Sequence, residues 1–297
     1  MPRNRGACLP ASRPAIMPHV IIDFHTHIFP PQVQEKREEY LRRDPTFAEM
    51  YGNPQAKVAT ADELRRSMEE AGVSVSVALG FAWREHDDCV RHNDYLLEAA
   101  ANSGGRIVPF CSVSPLAGEA AAKEVERCAR GGALGLGELR PESQGWSLDG
   151  ERGDALAELA RRHGLILLFH VTEPGGHEYP GKGGLRLESF HRFVERVGGL
   201  SVVGAHLAGG LPLYASKLWG RKAAPGVYAD TAALRYLYEV SVLPGVVREL
   251  GADRLLFGSD YPLVKQSAAL DEVRASGLDD ADLWSVLGES AGRLLGL

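Results

Sequence analysis

The stretch Leu165-Ile166-Leu167-Leu168-Phe169, followed directly by His170, decides the fold class. An unbroken apolar run of this length suits a strand that is buried on both faces, as in a parallel sheet covered by helices. A second run, 200–205 (LSVVGA), ends in the same way before His206. Amphipathic stretches of helical length separate such runs along the chain, and this alternation is typical of an α/β protein with a parallel sheet.

Short apolar runs of this kind predict eight strands, at 20–24, 73–79, 107–111, 134–139, 165–169, 200–205, 227–230 and 254–258. Thr60 and Glu63 form a capping box that begins a helix at 61–71. Apolar spacing predicts further helices at 87–103, 116–130, 151–163, 185–197 and 236–250. Eight strand–helix units in about 280 residues favour a closed (β/α)8, TIM-like barrel, and an open α/β sheet is the alternative.

Length, charge and the lack of targeting motifs indicate how many domains the chain has and which partners it is not expected to bind. Residues 18–297 are predicted to form a single domain, and residues 1–17 a disordered N-terminal arm; Met1 and Met17 both fit a translation start. The chain has 33 Lys and Arg against 39 Asp and Glu, and its positive charges are scattered singly. Neither a nucleic acid nor a membrane is therefore expected as a partner. Without a secretory signal, an apolar span or a CxxC pair, a cytoplasmic protein is predicted.

The first predicted strand closes with Asp23-Phe24-His25-Thr26-His27. Because strand side chains alternate between faces, His25 and His27 point the same way, toward the barrel axis if Phe24 and Thr26 face outward. Two imidazoles at this spacing can bind one divalent ion. The alternative is that they are simply two polar residues at the end of a strand.

Three later strands also end in polar side chains. His170 follows the fifth strand, His206 follows the sixth, and Asp260 follows the eighth. A carboxylate at the end of an apolar strand is costly to bury without a partner, which indicates a metal or a proton-transfer role; a helix N-cap is the alternative. All these residues fall at the rim where barrels place their active sites. The other histidines do not, and are predicted to be solvated or structural: His19, His86, His92, His163 and His191.

Together these motifs resemble the amidohydrolase superfamily and, within it, the amidohydrolase-related branch that includes aminocarboxymuconate-semialdehyde decarboxylase. The matching positions are 23–27 (DFHTH), His170, His206 within GAHLAGG, 258–262 (GSDYP) and 290–296 (SAGRLLG). The resemblance implies a distorted (β/α)8 barrel with a bound divalent ion, usually zinc. By the same resemblance its ligands here are His25, His27, His170 and Asp260. Barrels of this branch are often dimers, so a homodimer is expected.

The resemblance also assigns roles to His206 and Glu138. In decarboxylase-like members the His206 position activates water or polarises the substrate, and in two-metal members it binds the second ion. Glu138 lies where two-metal members place a bridging carboxylated lysine or a glutamate, and its GxGE setting is similar to that of the TatD-like hydrolases. A second ion held by Glu138, His170 and His206 is one interpretation. Pairing of Glu138 with Arg140 or with a loop donor is the other, so one or two ions remain open.

The connection 171–184 is rich in glycine and carries candidate substrate-binding residues. His177, Tyr179 and Lys182 could meet a substrate carboxylate or phosphate above the metal, and Arg140 is a further candidate for substrate binding. The alternative is that the polar residues of this connection only face solvent.

The leading functional hypothesis is a metal-dependent hydrolase that acts on an amide, ester or lactone of a small carboxylated molecule. Zinc would lower the pKa of a bound water toward about 7, Asp260 would shuttle the proton, and His206 would stabilise the oxyanion. The runner-up is non-oxidative decarboxylation of a small aromatic or unsaturated carboxylic acid, with Asp260 or His206 as the proton donor. Glu138 favours the hydrolase, because a second metal suits a bridging hydroxide. A third hypothesis, a barrel that binds a ligand without turnover, does not explain a complete set of acid–base and metal residues.

Overall fold

A computed structural model describes residues 20–220 and 223–297. Eight parallel strands follow one another around a single sheet in chain order, with helices outside them. The prediction of a (β/α)8, TIM-like barrel is therefore confirmed, and the open-sheet alternative is wrong. The predicted arm at 1–17 and His19 lie outside the described residues. The strands are β1 (Ile22–His27), β2 (Val75–Leu79), β3 (Ile107–Cys111), β4 (Gly135–Leu139), β5 (Ile166–Phe169), β6 (Val202–Gly204), β7 (Val227–Asp230) and β8 (Leu255–Leu256).

The helices mostly follow the predicted amphipathic stretches, and none in the described part of the chain is long and apolar enough to cross a membrane. They are α1 (Pro31–Glu35), α2 (Arg37–Arg43), α3 (Pro45–Tyr51), α4 (Ala61–Ala71), α5 (His86–Ala101), α6 (Glu119–Arg130), α7 (Glu151–His163), α8 (Leu187–Arg196), α9 (Ala205–Gly209), α10 (Leu211–Trp219), α11 (Leu234–Leu237), α12 (Leu243–Leu250), α13 (Gln266–Arg274), α14 (Asp280–Trp284) and α15 (Ser290–Leu295). The capping box at Thr60 and Glu63 begins α4 as predicted.

The single helix predicted over 236–250 is wrong. The backbone is extended at Tyr238, and α12 begins only at Leu243. Pro is tolerated in the first turn of a helix, where its missing N–H costs no hydrogen bond, and Pro244 occupies that turn of α12. The apolar spacing across 236–250 therefore spans α11, a short turn and α12 rather than one helix.

The barrel interior is filled by alternate residues of the strands. Phe24 of β1 packs there edge-to-face with Phe110 of β3, at a centroid distance of 5.5 Å, rather than facing outward as expected. The reason is that the pairing of β1 with β2 shifts register between Asp23 and Thr26, which breaks the strict alternation of side chains. Above this shift the two histidines of β1 still converge on the same side of the strand, with their Nε2 atoms 3.1 Å apart.

The sheet closes between β8 and β1 with less regular pairing than between the other neighbours. One bridge, Thr26 to Tyr261, joins the two edges in the described residues. Backbone hydrogen bonds also cross this junction, from the Phe24 N–H to the Phe257 carbonyl and from the His27 N–H to the Tyr261 carbonyl, both at 2.7 Å, and from the Asp260 N–H to the His25 carbonyl at 2.9 Å. The buried carboxylate of Asp23 adds side-chain contacts, because it accepts from the Ser259 N–H at 2.9 Å and from the Gln266 amide at 2.8 Å. This network holds the residues that follow β8 against β1.

The connection between β1 and α4 folds over the barrel as α1, α2 and α3, and its aromatic residues form a separate core. Phe47 of α3 stacks on Tyr51 at a centroid distance of 4.8 Å and on Trp83 at 5.3 Å. Phe29 and Phe81 complete this aromatic cluster. One face of the cluster adjoins the carboxyl ends of β1 and β2, so aromatic rings lie next to the rim of the barrel.

His92 of α5 lies under this aromatic cluster and should make stability sensitive to acid. Its Nε2–H donates to the Ile28 carbonyl at 2.7 Å, its Nδ1 accepts from the Trp83 indole at 3.1 Å, and burial lowers its pKa to about 4. Since the unfolded chain takes up this proton first, the contribution is complete above about pH 6.5 and is lost as pH falls toward 4. We expect wild type to lose about 3 kcal/mol more than His92→Gln over that range, measured by urea unfolding. Equal losses in the two proteins would contradict this account.

Candidate metal centre

Six polar side chains converge at the carboxyl ends of the strands, and each is at most 9% exposed. They form two groups, and the ligand-type atoms within each group lie within 4.8 Å of one another. One group comes from β1 and from the residues after β8, and the other comes from β4 and from the residues after β5 and β6. The first group is His25, His27 and Asp260, and the second is Glu138, His170 and His206.

The first group has the spacing of ligands around one ion. The Nε2 atoms of His25 and His27 are 3.1 Å apart, and Asp260 Oδ1 lies 3.7 Å and 3.5 Å from them. Metal–nitrogen bonds of about 2.0–2.1 Å place neighbouring ligand atoms roughly 3.3 Å apart in a tetrahedron. These residues therefore fit a divalent cation without rearrangement of the backbone.

Glu138 faces both groups, one carboxylate oxygen toward each. Its Oε1 lies 2.8 Å from His170 Nδ1 and 3.6 Å from His206 Nε2, while its Oε2 lies 3.6 Å from His27 Nε2. The pairing with Arg140, left open above, is not found among the described contacts of Glu138. His170 lies with Glu138 and His206, the set named above for a second ion, and its binding of the ion held by His25, His27 and Asp260 stays a prediction.

The outward nitrogens of three of these histidines are held by acceptors. His25 Nδ1 donates to Asp230 Oδ2 at 2.8 Å, His206 Nδ1 to the Ala232 carbonyl at 3.1 Å, and His170 Nε2 to the Gly181 carbonyl at 3.1 Å. A proton fixed on the outward nitrogen leaves a lone pair on the inward one, which is the state that binds a metal. The inward atoms are Nε2 of His25 and His206 but Nδ1 of His170.

Asp230, which ends β7, was missed by the sequence reasoning. Besides His25, it accepts at Oδ1 from the backbone N–H groups of His206 and Ala232, at 2.9 and 3.1 Å. One fully buried carboxylate thus positions residues from two strands. The signal was present in the sequence, because Asp230 ends the apolar run 227–230 in the same way that Asp260 follows the eighth run.

We expect Asp230→Asn to weaken metal binding by about 10–100-fold, as is typical when the support of a ligating histidine is removed. Both oxygens of Asp230 accept hydrogen bonds, and an amide offers only one acceptor, so His25 or the His206 N–H loses its partner. Competition with a chromogenic chelator measures the affinity. Asp253→Asn, at an exposed turn, is the matched control. Equal affinities in the two variants would remove Asp230 from the site.

Two site residues have left-handed backbone conformations, which are uncommon in residues other than glycine. They are His206 with φ 60° and Asp260 with φ 62°. Such conformations cost about 1–3 kcal/mol each and persist where surrounding contacts impose them. Gly258 serves the same packing, because a Cβ there would lie 2.8 Å from the Cβ of His25. The chain after β8 can therefore approach His25 closely enough to deliver Asp260.

The charges of the site are strongly coupled. Burial acts to raise the pKa of Asp260, but the hydrogen bond to His27 and the nearby positive histidines lower it to about 2. Burial likewise opposes the charge on His25, yet Asp230, Asp260 and Glu138 raise its pKa to about 10. Carboxylates buried at such close range demand positive charge, which protons on histidines supply here and which a divalent ion supplies equally well.

His170 behaves differently, because its pKa falls to about 4 through burial and the positive charge of Arg140. A histidine in that state carries no proton on one ring nitrogen at neutral pH. Neutral His170 has one ring proton and faces two acceptors, Glu138 Oε1 at 2.8 Å from Nδ1 and the Gly181 carbonyl at 3.1 Å from Nε2. A divalent ion would displace the proton from Nδ1 and leave it on Nε2.

Two of the loop residues proposed for substrate binding, Lys182 and Tyr179, make contacts within the loop itself. Lys182 Nζ donates to the carbonyls of Gly175 and His177, both at 2.8 Å, and lies 3.7 Å from Glu173. The Tyr179 hydroxyl donates to Glu173 at 3.1 Å, and the His177 side chain is exposed. The structure thus leaves substrate binding by His177, Tyr179 and Lys182 a prediction.

Tyr51 is a second residue that the sequence reasoning missed. It ends α3, is 8% exposed, and belongs to the aromatic cluster. Burial raises the pKa of its hydroxyl, and the negative charges of Asp260 and Glu138 raise it further, so the phenol stays protonated beside the two carboxylates. No motif marks Tyr51, because its place depends on how α1 to α3 fold over the rim.

A buried cluster of histidines and carboxylates at the carboxyl rim of a (β/α)8 barrel defines a class of metal-dependent enzymes. The amidohydrolase family model matches residues 22–297, and the chain belongs to this family. The resemblance seen in the motifs is thus confirmed. No curated protein sequence matches the chain.

Solved structures with the same fold include several decarboxylases. A 5-carboxyvanillate decarboxylase from Novosphingobium aromaticivorans, with manganese and 4-hydroxy-3-methoxy-5-nitrobenzoic acid, has a TM-score of 0.75 at 16% identity, covering 94% of this chain and 97% of that chain. A dihydroxybenzoic acid decarboxylase from Polaromonas sp. JS666, with manganese and 2-nitroresorcinol, has a TM-score of 0.71 at 18% identity, covering 94% and 97%. A putative amidohydrolase from Staphylococcus aureus has a TM-score of 0.68 at 18% identity, covering 93% and 99%.

These neighbours overturn the leading functional hypothesis. The hydrolysis of an amide, ester or lactone was favoured because Glu138 suits a second metal, yet the structures that share this barrel are mostly decarboxylases of aromatic acids. A carboxylate at the end of β4 is therefore a poor guide to the reaction. The runner-up, decarboxylation, is the better supported of the two hypotheses.

Proposed function

We propose that the protein is a metal-dependent, non-oxidative decarboxylase of a small aromatic carboxylic acid. The observation that carries the proposal is the aromatic cluster at the carboxyl ends of β1 and β2, where the Tyr51 ring stacks on Phe47 and its hydroxyl experiences the charges of Asp260 and Glu138. Aromatic walls favour flat aromatic ligands, because rings pack with specific offset and edge-to-face geometry. The neighbours named for 5-carboxyvanillate and 2,6-dihydroxybenzoate support the same substrate class.

Nitrogen and carboxylate donors of this kind suit manganese or zinc, and the manganese in the neighbouring structures makes manganese our first choice. His25, His27 and Asp260 would hold the ion, with Glu138, His170 and His206 on its other side. When bound, a divalent ion anchors the substrate carboxylate and draws electron density toward it. A neutral imidazole at each inward nitrogen is required for this, and Asp230 and Gly181 supply the outward partners for His25 and His170.

The reaction breaks the bond between the ring carbon and the carboxylate. The electron pair of that bond stays on the ring carbon, CO2 leaves, and a proton takes its place. We assign the proton delivery to Asp260, because its left-handed backbone projects the carboxylate beside His25 and His27 at the centre of the site. Asp260 is ionised at neutral pH, so it would relay a proton taken from His206, whose pKa is raised, against the effect of burial, by Glu138 and Asp260. His206 and the Tyr51 hydroxyl orient the substrate oxygens, and burial of the site limits competing water.

The test is a panel of hydroxybenzoates incubated with manganese-loaded protein in D2O. We expect one CO2 released for each arene formed, with deuterium at the carbon that carried the carboxylate. Aryl esters, anilides and lactones form the second arm of the panel, and metal-free protein is the control. Hydrolysis in the second arm without CO2 from the first would show that the decarboxylase proposal is wrong.

The domain organisation, the oligomeric state and the kind of partner are also proposals. We propose that residues 18–297 act as one domain, that the protein works as a homodimer, and that its partner is a small-molecule substrate. Sedimentation velocity checks the homodimer directly. A cytoplasmic location and the absence of nucleic-acid and membrane partners stay predictions from the sequence.

A further inference from the structure

The Gly181 peptide group joins three parts of the molecule. Its carbonyl accepts from His170 Nε2 at 3.1 Å and from Arg140 Nη2 at 2.8 Å, and its N–H donates to Glu49 Oε1 of α3 at 3.0 Å. The loop 171–184 is thus tied at one peptide to a candidate metal ligand, to the residues after β4, and to a helix over the rim.

His170 depends on this peptide more than the other histidines depend on their partners. It alone turns Nδ1 toward the site, whereas the inward atom of His25, His27 and His206 is Nε2. With an ion at Nδ1, the Gly181 carbonyl would be the acceptor for the remaining ring proton at Nε2. With the carbonyl displaced, the ring is free to rotate or to move its proton to Nδ1, and the ligand atom is lost.

Residue 181 must be glycine for this arrangement. Its φ is +93°, a conformation that side-chain-bearing residues rarely adopt, and a Cβ there would lie 2.6 Å from Met50 Sδ. Gly183 offers a comparison within the same loop, because its φ is +108° but a Cβ there would meet no atom within 4 Å. Both glycines therefore need a positive φ, but only at residue 181 would an added Cβ contact another side chain, that of Met50.

Arg140 also holds the Gly181 carbonyl in place. It is 4% exposed, and among the described residues no carboxylate lies within salt-bridge distance of its guanidinium. Its partners are the Gly181 carbonyl and the Met50 sulfur, and its Nε has none in the described part. A buried cation needs strong acceptors, so Arg140 holds the one carbonyl that it reaches.

We propose that the Gly181 peptide is a positioning group for His170, so that the folded position of the loop 171–184 helps to complete the metal site. The inference rests on the proposed function only in requiring a metal at this site, and it needs no particular substrate.

The test compares Gly181→Ala with Gly183→Ala, using manganese affinity and the visible absorption of the cobalt-substituted protein. We expect Gly181→Ala to lower affinity by about 10–100-fold and to change the cobalt spectrum. Gly183→Ala should bind close to wild type with an unchanged spectrum. A second pair tests the other side of the peptide, where Glu49→Ala should weaken binding and Glu49→Gln, which keeps an acceptor oxygen, should restore it. Thermal unfolding verifies that each variant is folded.

Equal affinity in Gly181→Ala, Gly183→Ala and wild type would overturn the proposal. Equal losses in both glycine variants would overturn it as well, because backbone strain alone would then explain the effect. Failure of wild type to bind any divalent ion would instead remove the metal site and the proposed function with it. The two failures are therefore distinguishable, since the first leaves wild-type metal binding intact.

Discussion

Asp260→Asn should lower kcat for decarboxylation by about 10²–10⁴-fold, the usual contribution of a positioned proton donor. Asparagine keeps the size of the side chain and tolerates the left-handed backbone at this position, where φ is 62°. The substitution removes the ionisable oxygen that lies 3.5 Å from His27 Nε2. Turnover is to be measured as CO2 release at saturating manganese, so that weaker metal binding does not mimic a loss of chemistry.

The matched control is Asp271→Asn, which removes a carboxylate whose side chain is 79% exposed on α13. It should leave kcat unchanged. If Asp260→Asn binds manganese and keeps kcat within tenfold of wild type, Asp260 is not the proton donor. His206→Gln then becomes the next variant to measure, because His206 is the other proton donor that the sequence indicated.

Removal of the metal should reduce the activity to below about 1% of its starting value, since the ion would supply the positive charge that anchors and polarises the substrate carboxylate. Dialysis against a chelator followed by addition of manganese or zinc measures both the loss and the recovery. We expect about one ion per chain in the restored enzyme, because decarboxylation has no evident use for a second.

Glu138→Gln tests the number of ions, since each oxygen of Glu138 faces a different group of ligands. The count should stay near one ion per chain in this variant, with reduced affinity. A fall from about two ions to one would contradict the single-ion proposal and would make Glu138 a bridging ligand. Activity that survives removal of all metal would overturn the mechanism as a whole.

The barrel was predictable from the sequence because its evidence is local. Continuous apolar runs mark strands buried on both faces, and polar residues just after those runs mark the carboxyl rim. The grouping of His25, His27, His170, His206, Asp260 and Glu138 follows from this rule, since every parallel strand ends at the same rim. The helix at 61–71 was also readable, because its cap is a local hydrogen-bond pattern.

The errors arose where the outcome depends on contacts between distant segments. The outward face expected for Phe24 was wrong because β1 shifts its register against β2. The helix expected over 236–250 was wrong because tertiary packing breaks it at Tyr238, which periodicity does not show. Tyr51 and the Gly181 peptide reach the site only through the folding of loops over the rim. The choice of reaction was wrong because the same ligands serve both hydrolysis and decarboxylation.

The irregular closure between β8 and β1 has a mechanical consequence. The described edges share one bridge, yet His25 and His27 lie on one side of this junction and Asp260 on the other. An ion bound by these residues would cross-link the first strand of the barrel to the segment that follows its last strand. The amide hydrogens of His27 and Asp260, which donate across the junction to the carbonyls of Tyr261 and His25, should then exchange faster in metal-free protein, while those of the central strands should change little. In such an enzyme the cofactor would serve the chemistry and also fasten the ends of the sheet together.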